Sequence, residues 1–377
     1  MRVALVHDFL VEYGGGERVL EALHEIFPGA PIYTAYLDLN GFGPHQERIR
    51  KWNIKTSWLQ YLPRKLLSPA RIFASLAFES FDLSGYDVVI SSCNTYFSKA
   101  VITSPKSLHI SYIHTPPRYL YGYATSFNYK KHWWTRVAGE LANHFLRIYD
   151  YETSQRPDIL VANSQEVYQR IKKFYRREAV VIYPPVDLSE FKAVKKKQED
   201  FFLSLNRLDR GKGTEVAVNA CTKLGLTLKV AGKGNQEGRL RKIAGQTVQF
   251  LGEVDDKERI ELLSYAKALI VASDDEDFGI TAIEAQAAGT PVIAIKQGGY
   301  QETVLDGKTG LFFEPSTMPA DYSRYVDPKV VENLIKVLEE FDPGRFRVEE
   351  LRDNAEKFSK VRFKEEILAL VDKNLKS

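Results

Sequence analysis

Short apolar runs of four to six residues alternate along the chain with stretches whose apolar residues recur every three or four positions, the pattern of strands interleaved with helices. The opening run RVALVHDF reads as a strand, LVEYGGGER as a glycine-rich loop, and Leu20, Leu23 and Ile26 as the inner face of a helix. Further strands are predicted at YDVVISS, LHISYIH, ILVANS and AVVIYPPV, with helices at 136–149 and 164–175 between them. After PPVDLSEF the pattern restarts with strands FFLSLNRL, LTLKVAGKG, VQFLGEV, ALIVAS and PVIAI. Alternation of this kind predicts an α/β fold of two tandem doubly wound, Rossmann-like parallel-sheet domains with a cleft between them. The expected divisions are 1–187, 188–355 and a C-terminal helix over 356–377 that could pack back on the first domain. The joining segment YPPVDLSEFKAVKKKQED has two prolines and a lysine run without apolar period. Beyond it STMPADYSRYVDP reads as a loop, and helices are predicted at 328–341 and from about Val348 to the end.

Composition adds bounds. A chain of 377 residues with 44% hydrophobic content is long enough for two cores. No apolar run reaches membrane-spanning length, so a cytoplasmic location is the expectation. Cys93 and Cys221 lie far apart in apolar surroundings, as buried thiols would. Up to Asp187 the chain has 22 Lys and Arg against 17 Asp and Glu, and it holds all seven histidines and all four tryptophans. Cations interleave with aromatics in WNIKTSWLQYLPRKLLSPARIF and YKKHWWTR, around Trp52, Trp58, Tyr61, Lys65, Lys130, Lys131, Trp133 and Trp134. That composition suits the inner face of an anionic membrane, or equally core aromatics with snorkelling cations.

The candidate chemistry falls at strand ends, where ligands bind in α/β domains. EDFGITAIEAQAAGTPVI, residues 276–293, places Glu276 in a loop and Glu284 on a helix expected from about Gly279 to Gly289. The free N–H groups of Phe278, Gly279 and Ile280 would suit a phosphate, or simply cap a helix that carries solvated glutamates. Arg207 and Lys212 in SLNRLDRGKGTE put two fixed cations beside a glycine turn, matching either a diphosphate or a surface loop. Gly14, Gly15 and Gly16 permit close backbone approach. They miss the dinucleotide fingerprint, since Val19 stands where its third glycine belongs, although Asp38 lies near the spacing of a ribose-binding acid. His114 in SYIHTPPRY sits at a strand end before two prolines. Asp274 to Asp277 could bind a metal with a nucleotide, but acidic runs also favour a helix start on electrostatic grounds. Zinc spacing, a G-x-S-x-G elbow and a G-x4-G-K loop are all missing from the sequence.

Together these segments resemble the retaining glycosyltransferases of family 4, which have the GT-B fold. Glu276 and Glu284 match the E-x7-E signature, with Phe278, Gly279, Ala285, Gly289 and Pro291 in register; RLDRGKG matches the basic donor loop, and Gly14 to Gly16 the glycine-rich loop of the acceptor domain. HTPPRYLYG is similar to a segment of bacterial mannosyltransferases that build O-antigen and related surface polysaccharides. The resemblance implies transfer of a hexose, foremost mannose from GDP-mannose, to a glycan or polyprenyl-diphosphate-linked acceptor, with retention and without a metal cofactor; UDP- or ADP-sugars are the alternative donors. It implies catalytic roles for His114, Glu276, Arg207 and Lys212. Arg207 and Lys212 would neutralise the diphosphate with the backbone of Gly279 and Ile280, Glu276 would hold the sugar, and Glu284 the ribose. The loop to Val254 would face the base. Gly15 and Gly16 would approach the donor or acceptor as the domains close, with Tyr13, Glu17 and Arg118 on the acceptor side. The implied anionic partner is a membrane surface rather than nucleic acid. Asp277 departs from the family, which usually has glycine there. A nicotinamide oxidoreductase and a non-catalytic glycan- or membrane-binding module are the readings from other classes.

Overall fold

The computed structural model describes residues 1–63, 73–123, 133–192, 199–316 and 326–375. The chain forms two compact units, one reaching to Pro185 and resuming at Lys360, the other running from Val186 to Ser359.

The first unit is built on seven parallel strands: β1 Val3–His7, β2 Ile32–Thr34, β3 Ile54–Thr56, β4 Val88–Cys93, β5 Leu108–Ile113, β6 Ile159–Ala162 and β7 Val180–Val181. Their spatial order is β3-β2-β1-β4-β5-β6-β7. Successive side chains of a strand point to opposite faces, and both faces are covered. Val3 and Leu5 therefore join a core with Leu20, Leu23 and Ile110, whereas Ala4 and Val6 join one with Phe78, Tyr96 and Phe97. β2 and β3 have three residues each, too few for a hydrophobic period to reveal them. Trp52, grouped by sequence with the interfacial residues, instead packs on the first core and stacks on His24. The interfacial residues 64–72, Lys130 and Lys131 lie outside the described residues.

The second unit has six parallel strands: β8 Phe202–Leu205, β9 Leu228–Ala231, β10 Val248–Gly252, β11 Ala268–Val271, β12 Val292–Ile295 and β13 Gly310–Phe313, in the order β10-β9-β8-β11-β12-β13. In both sheets the order reverses once, between β1 and β4 and between β8 and β11. These are the switch points where connections leave to opposite sides and open a crevice at the carboxyl ends of the strands.

The C-terminal region is two helices rather than one, Val348–Glu356 and Lys360–Leu375. The break is fixed by backbone bonding: the Phe358 carbonyl accepts from Val186 N at 2.9 Å, and Ser359 bridges Val186. Helix Lys360–Leu375 then belongs to the first unit, where Phe363, Ile367 and Val371 enter the core beside Leu5 and Tyr112. Both cysteines are buried free thiols, and burial pushes each up to about 12.

Two consequences can be measured. Phe363→Ala removes a fully buried ring that links the last helix to the first sheet, so it should destabilise the first unit by about 3–5 kcal/mol, read from the urea midpoint. The second concerns His109 on β5, whose Nε2 lies 3.0 Å from Ser91 Oγ, and His114 just beyond that strand. Burial, reinforced by Arg177 and Arg156, pushes His109 down to about 3; burial and then the charge of His7 do the same to His114. Unfolded, both rings titrate near 6.5, so the unfolded chain binds more protons between the two values. Stability should therefore fall as pH drops from 6.5 towards 3, by about 1.4 kcal/mol per pH unit for each ring. A flat dependence of the urea midpoint between pH 7 and pH 5 would contradict the burial of both rings in their neutral form.

Candidate active site

In the second unit the candidate residues gather at the β8/β11 switch point. β8 ends at Leu205, and the loop that follows is pressed against the end of β11. Gly211 and Gly213 have left-handed φ of 86° and 68°, and a Cβ on Gly213 would lie 1.8 Å from the Ala272 carbonyl oxygen. Only glycine allows that approach. Asp274 N donates to Gly211 O at 2.9 Å, locking the two loops together. The result is a contact 64 positions apart in sequence: Lys212 Nζ meets Glu276 Oε2 at 3.1 Å, with both side chains partly open to solvent. Arg207 stands exposed two residues beyond β8.

Glu276 is held from its other side by the turn after β12. Gly299 N donates to Glu276 O at 2.8 Å, and a Cβ on Gly299 would fall 2.4 Å from Phe278 Cα. Tyr300, next in the chain, is buried beneath Gly279, whose added Cβ would lie 2.8 Å from its ring. Burial and then the charge of Glu276 hold the Tyr300 hydroxyl well above its usual range. Gly279 caps helix Ile280–Ala287 at φ 92°, so the helix begins four residues after Glu276. Its first N–H groups form a positive terminus near the Lys212–Glu276 pair. The side chain of Phe278 points away into the core, edge-on to Phe358 at 5.3 Å.

Glu284, expected from the motif at the ribose, lies on helix Ile280–Ala287. It is buried, and Arg259 Nη1 donates to its Oε1 at 2.5 Å; Arg259 also meets Glu190 at 2.7 Å and Asp256 at 3.3 Å. Val254 is half-buried in the loop after β10, between Gly252 and the helix cap Asp255. In the acidic run, burial and the Asp275 charge raise the Asp274 carboxyl. Among the described residues no group of three or more His, Cys, Asp or Glu side chains is arranged to hold a metal ion.

The first unit has its own cluster at the β1/β4 switch point. His7 Nδ1 lies 3.1 Å from Ser92 Oγ, and Ser92 Oγ lies 2.8 Å from His114 Nε2. His7 Nε2 reaches Glu17 Oε1 at 3.3 Å, while Glu17 Oε2 accepts from Gly14 N at 3.0 Å. Burial pushes Glu17 up, but the His7 bond and charge and the backbone donors outweigh it and leave Glu17 below its ordinary range. A Cβ on Gly16 would lie 2.5 Å from the side-chain nitrogen of Asn94, so Asn94 would have to turn aside to admit one. Gly15 opens helix Gly15–Ile26. Beside it Asp8 accepts from Asn94 N, Thr95 N, Thr95 Oγ1 and Ser98 N at 2.7–2.9 Å, tying β1 to the loop after β4. Tyr13 donates to Glu21 and stacks on His45, and Arg48 bonds the same glutamate at 2.7 Å. Arg118 lies in the turn beyond His114, its carbonyl accepting from Tyr121 N and Tyr123 N. Asp38, considered for a ribose, accepts from Asn40 N at 3.1 Å and caps a short turn.

Sequence reasoning passed over His7, Asp8, Ser92, Arg259 and the Gly298–Tyr300 turn. The polar pair His7–Asp8 at the end of the first apolar run and the GGY two residues past PVIAI were the available signals, since both lie at the carboxyl end of a strand.

Comparison with known proteins fits this arrangement. Residues 13–190 match the model of Glycosyltransferase Family 4, and residues 185–330 match that of Glycosyl transferases group 1. A glycogen synthase of Mycobacterium tuberculosis is 36% identical over 124 residues, 30% of each chain. The human alpha-1,3/1,6-mannosyltransferase ALG2 is 28% identical over 259 residues, 59% of this chain and 60% of that one. The chain thus spans less than two thirds of the length of these curated relatives. Among solved structures, Anabaena HepE in complex with UDP superposes with a TM-score of 0.69 at 15% identity, covering 99% of this chain and all of the other. The chain has the GT-B fold, its earlier part matched by the family 4 glycosyltransferase model and its later part by the group 1 model.

Proposed function

We propose that this protein is a retaining glycosyltransferase that moves mannose from GDP-mannose to a glycan or lipid-linked saccharide in cell-surface polysaccharide synthesis. The observation that carries the reading is the Lys212–Glu276 pair beside the N-terminus of helix Ile280–Ala287, at the carboxyl ends of β8 and β11. Cleavage of a sugar–diphosphate bond leaves charge on the diphosphate. Fixed cations and a helix N-terminus stabilise such charge without reorganisation and without calling on a metal. In this proposal Lys212 and Arg207 face the diphosphate with the N–H groups of Gly279 and Ile280. Glu276, already positioned by Lys212 and Gly299, accepts from the sugar hydroxyls. Glu284, held by its bond to Arg259, accepts from the ribose hydroxyls. The loop to Val254 borders the base. In the first unit, Gly15, Gly16 and the neutral ring of His114 offer close approach and a hydrogen bond to a hydroxylated ligand, with Tyr13, Glu17 and Arg118 around the acceptor. Mannose is favoured by the HTPPRYLYG segment and by the likeness to the mannosyltransferase ALG2. The likeness to the UDP-bound HepE fold supports a second reading, a UDP-sugar donor at the same site.

Thermal unfolding with GDP, UDP, ADP and NAD, each with and without magnesium, tests the donor directly. A ligand bound only by the folded state adds about 2.7 kcal/mol at a hundred times its dissociation constant. GDP alone should raise the midpoint, equally with and without magnesium; a shift with UDP instead selects the second reading, and a shift with NAD alone overturns both. Lys212→Ala should remove about 3 kcal/mol of transition-state stabilisation, on the order of a hundredfold in transfer rate, while the circular dichroism spectrum stays unchanged. Full activity in that variant would contradict the assigned role.

A further inference from the structure

The polar chain at the β1/β4 switch point contains two side chains, His7 and Ser92, that the proposed transfer has not used. From Glu17 on helix Gly15–Ile26 it passes to His7 on β1, to Ser92 on β4 and to His114 beyond β5, with 3.3 Å, 3.1 Å and 2.8 Å between successive polar atoms. His7 and Ser92 are sealed from solvent, whereas 8% of His114 remains exposed, so His114 is the ring that a ligand can reach.

Hydrogens on such a chain are assigned by the partners of each atom. Burial pushes Glu17 up, but the His7 bond and charge and the backbone donors hold its carboxyl below the ordinary range, and an ionised carboxylate only accepts. His7 Nε2 therefore carries a hydrogen towards Glu17. When His7 is neutral its Nδ1 has a lone pair and no hydrogen. The Ser92 hydroxyl donates its single hydrogen there, and Ser92 Oγ accepts from Nε2–H of His114. His114 is itself neutral, pushed down to about 3 by burial and then by the charge of His7, so it has one ring hydrogen. That hydrogen is on Nε2, and Nδ1 is left as an acceptor.

One added proton reverses every bond. A proton taken up at His114 Nδ1 lets Nε2 pass its hydrogen to Ser92, and Ser92 passes its own to His7 Nδ1. The charge then rests on His7 beside Glu17, and His114 is again neutral but holds its hydrogen on Nδ1. Ser92 Oγ has no other side-chain partner among the described residues, so its hydrogen points to one ring or the other. We infer that Ser92 is a positioning residue that passes the proton state of His7 to His114, and so decides whether Nδ1 of His114 accepts a hydrogen bond from a ligand or donates one. The charged or titratable groups that meet these rings are Glu17 and each ring the other; Asp8, next in the chain to His7, is taken up by Asn94, Thr95 and Ser98. Like charges on neighbouring rings repel, so the pair takes one proton rather than two. In the accepting state His114 selects a ligand with a hydroxyl or amine hydrogen, and in the donating state one with an ether, carbonyl or anionic oxygen. That this ligand is a sugar hydroxyl rests on the transferase reading; the relay does not.

The experiment is long-range proton–nitrogen NMR of the full chain with isotopically labelled histidine, assigned with His7→Gln and His114→Gln and followed from about pH 9 to about pH 5. At the alkaline end both rings should carry their hydrogen on Nε2. As His7 charges, the Nε2 resonance of His114 should move to the unprotonated position and its Nδ1 resonance to the protonated one, over the same pH interval. Ser92→Ala should abolish this coupled exchange, and Ser92→Thr, which keeps the hydroxyl, should retain it. His7→Lys puts a donor in place of the ring and should hold the His114 hydrogen on Nδ1 across the range, which extends the test to a His7 that stays neutral throughout. The inference is overturned by a hydrogen on Nδ1 of His114 at the alkaline end, by His114 resonances that stay constant when His7 charges or is replaced by lysine, or by the same exchange in Ser92→Ala. The readout needs no ligand, so absence of GDP stabilisation in the wild-type protein would count against the donor reading and leave the relay standing.

Discussion

A carboxylate withdrawn from water must be met by donors, and among those buried in the described residues Asp8, Glu17, Asp150 and Glu284 organise both units. Removing a charge from solvent costs several kcal/mol unless partners replace the lost hydration. Asp8 collects three backbone N–H groups and a hydroxyl, Glu17 a histidine and the N–H of Gly14, Asp150 a lysine and two tyrosines, and Glu284 an arginine. The sets of Asp8, Asp150 and Glu284 draw donors from elements distant in sequence, whereas Glu17 is met by His7 and the nearby Gly14. Satisfying the carboxylate therefore fixes the relative positions of the loops that bear them. Asp8 and Glu17 do this at the β1/β4 switch point, where the glycine-rich loop and His114 meet. Glu284 does it behind the helix that starts beside Glu276.

The second determinant is close backbone approach. At the β8/β11 switch point Gly213 rests on the Ala272 carbonyl, and Gly299 rests on Phe278. Without these contacts the loops would stand further apart, and Lys212 would not reach Glu276. The glycines and the ion pair are thus two aspects of one geometry: the backbone brings the loops together, and the charges orient the side chains. Because Lys212 and Glu276 remain partly exposed, the pair stays accessible to a ligand.

Asp150 acts in a different way. It bonds Tyr121, which lies in the turn that follows His114, to the helix Trp133–Ser154. One buried charge thereby steadies the turn that carries Arg118.

Much of this was legible in order along the chain. Apolar runs gave the longer strands, glycines gave the turns, and the Glu276–Glu284 spacing placed one carboxylate before a helix and one upon it, because these are local consequences of side-chain period and backbone freedom. The three-residue strands β2 and β3, the edge strand β13 and the break at Phe358 were not legible, since each exists only through pairing with distant backbone. The same holds for the partners. Sequence named Lys212 and Glu276 but not their contact, named Glu284 but not Arg259, and left Asp8 unnoticed. Local chemistry determined which groups were present and which elements carried them. Burial and pairing, which depend on where distant segments meet, decided which carboxylates face protein and which face solvent.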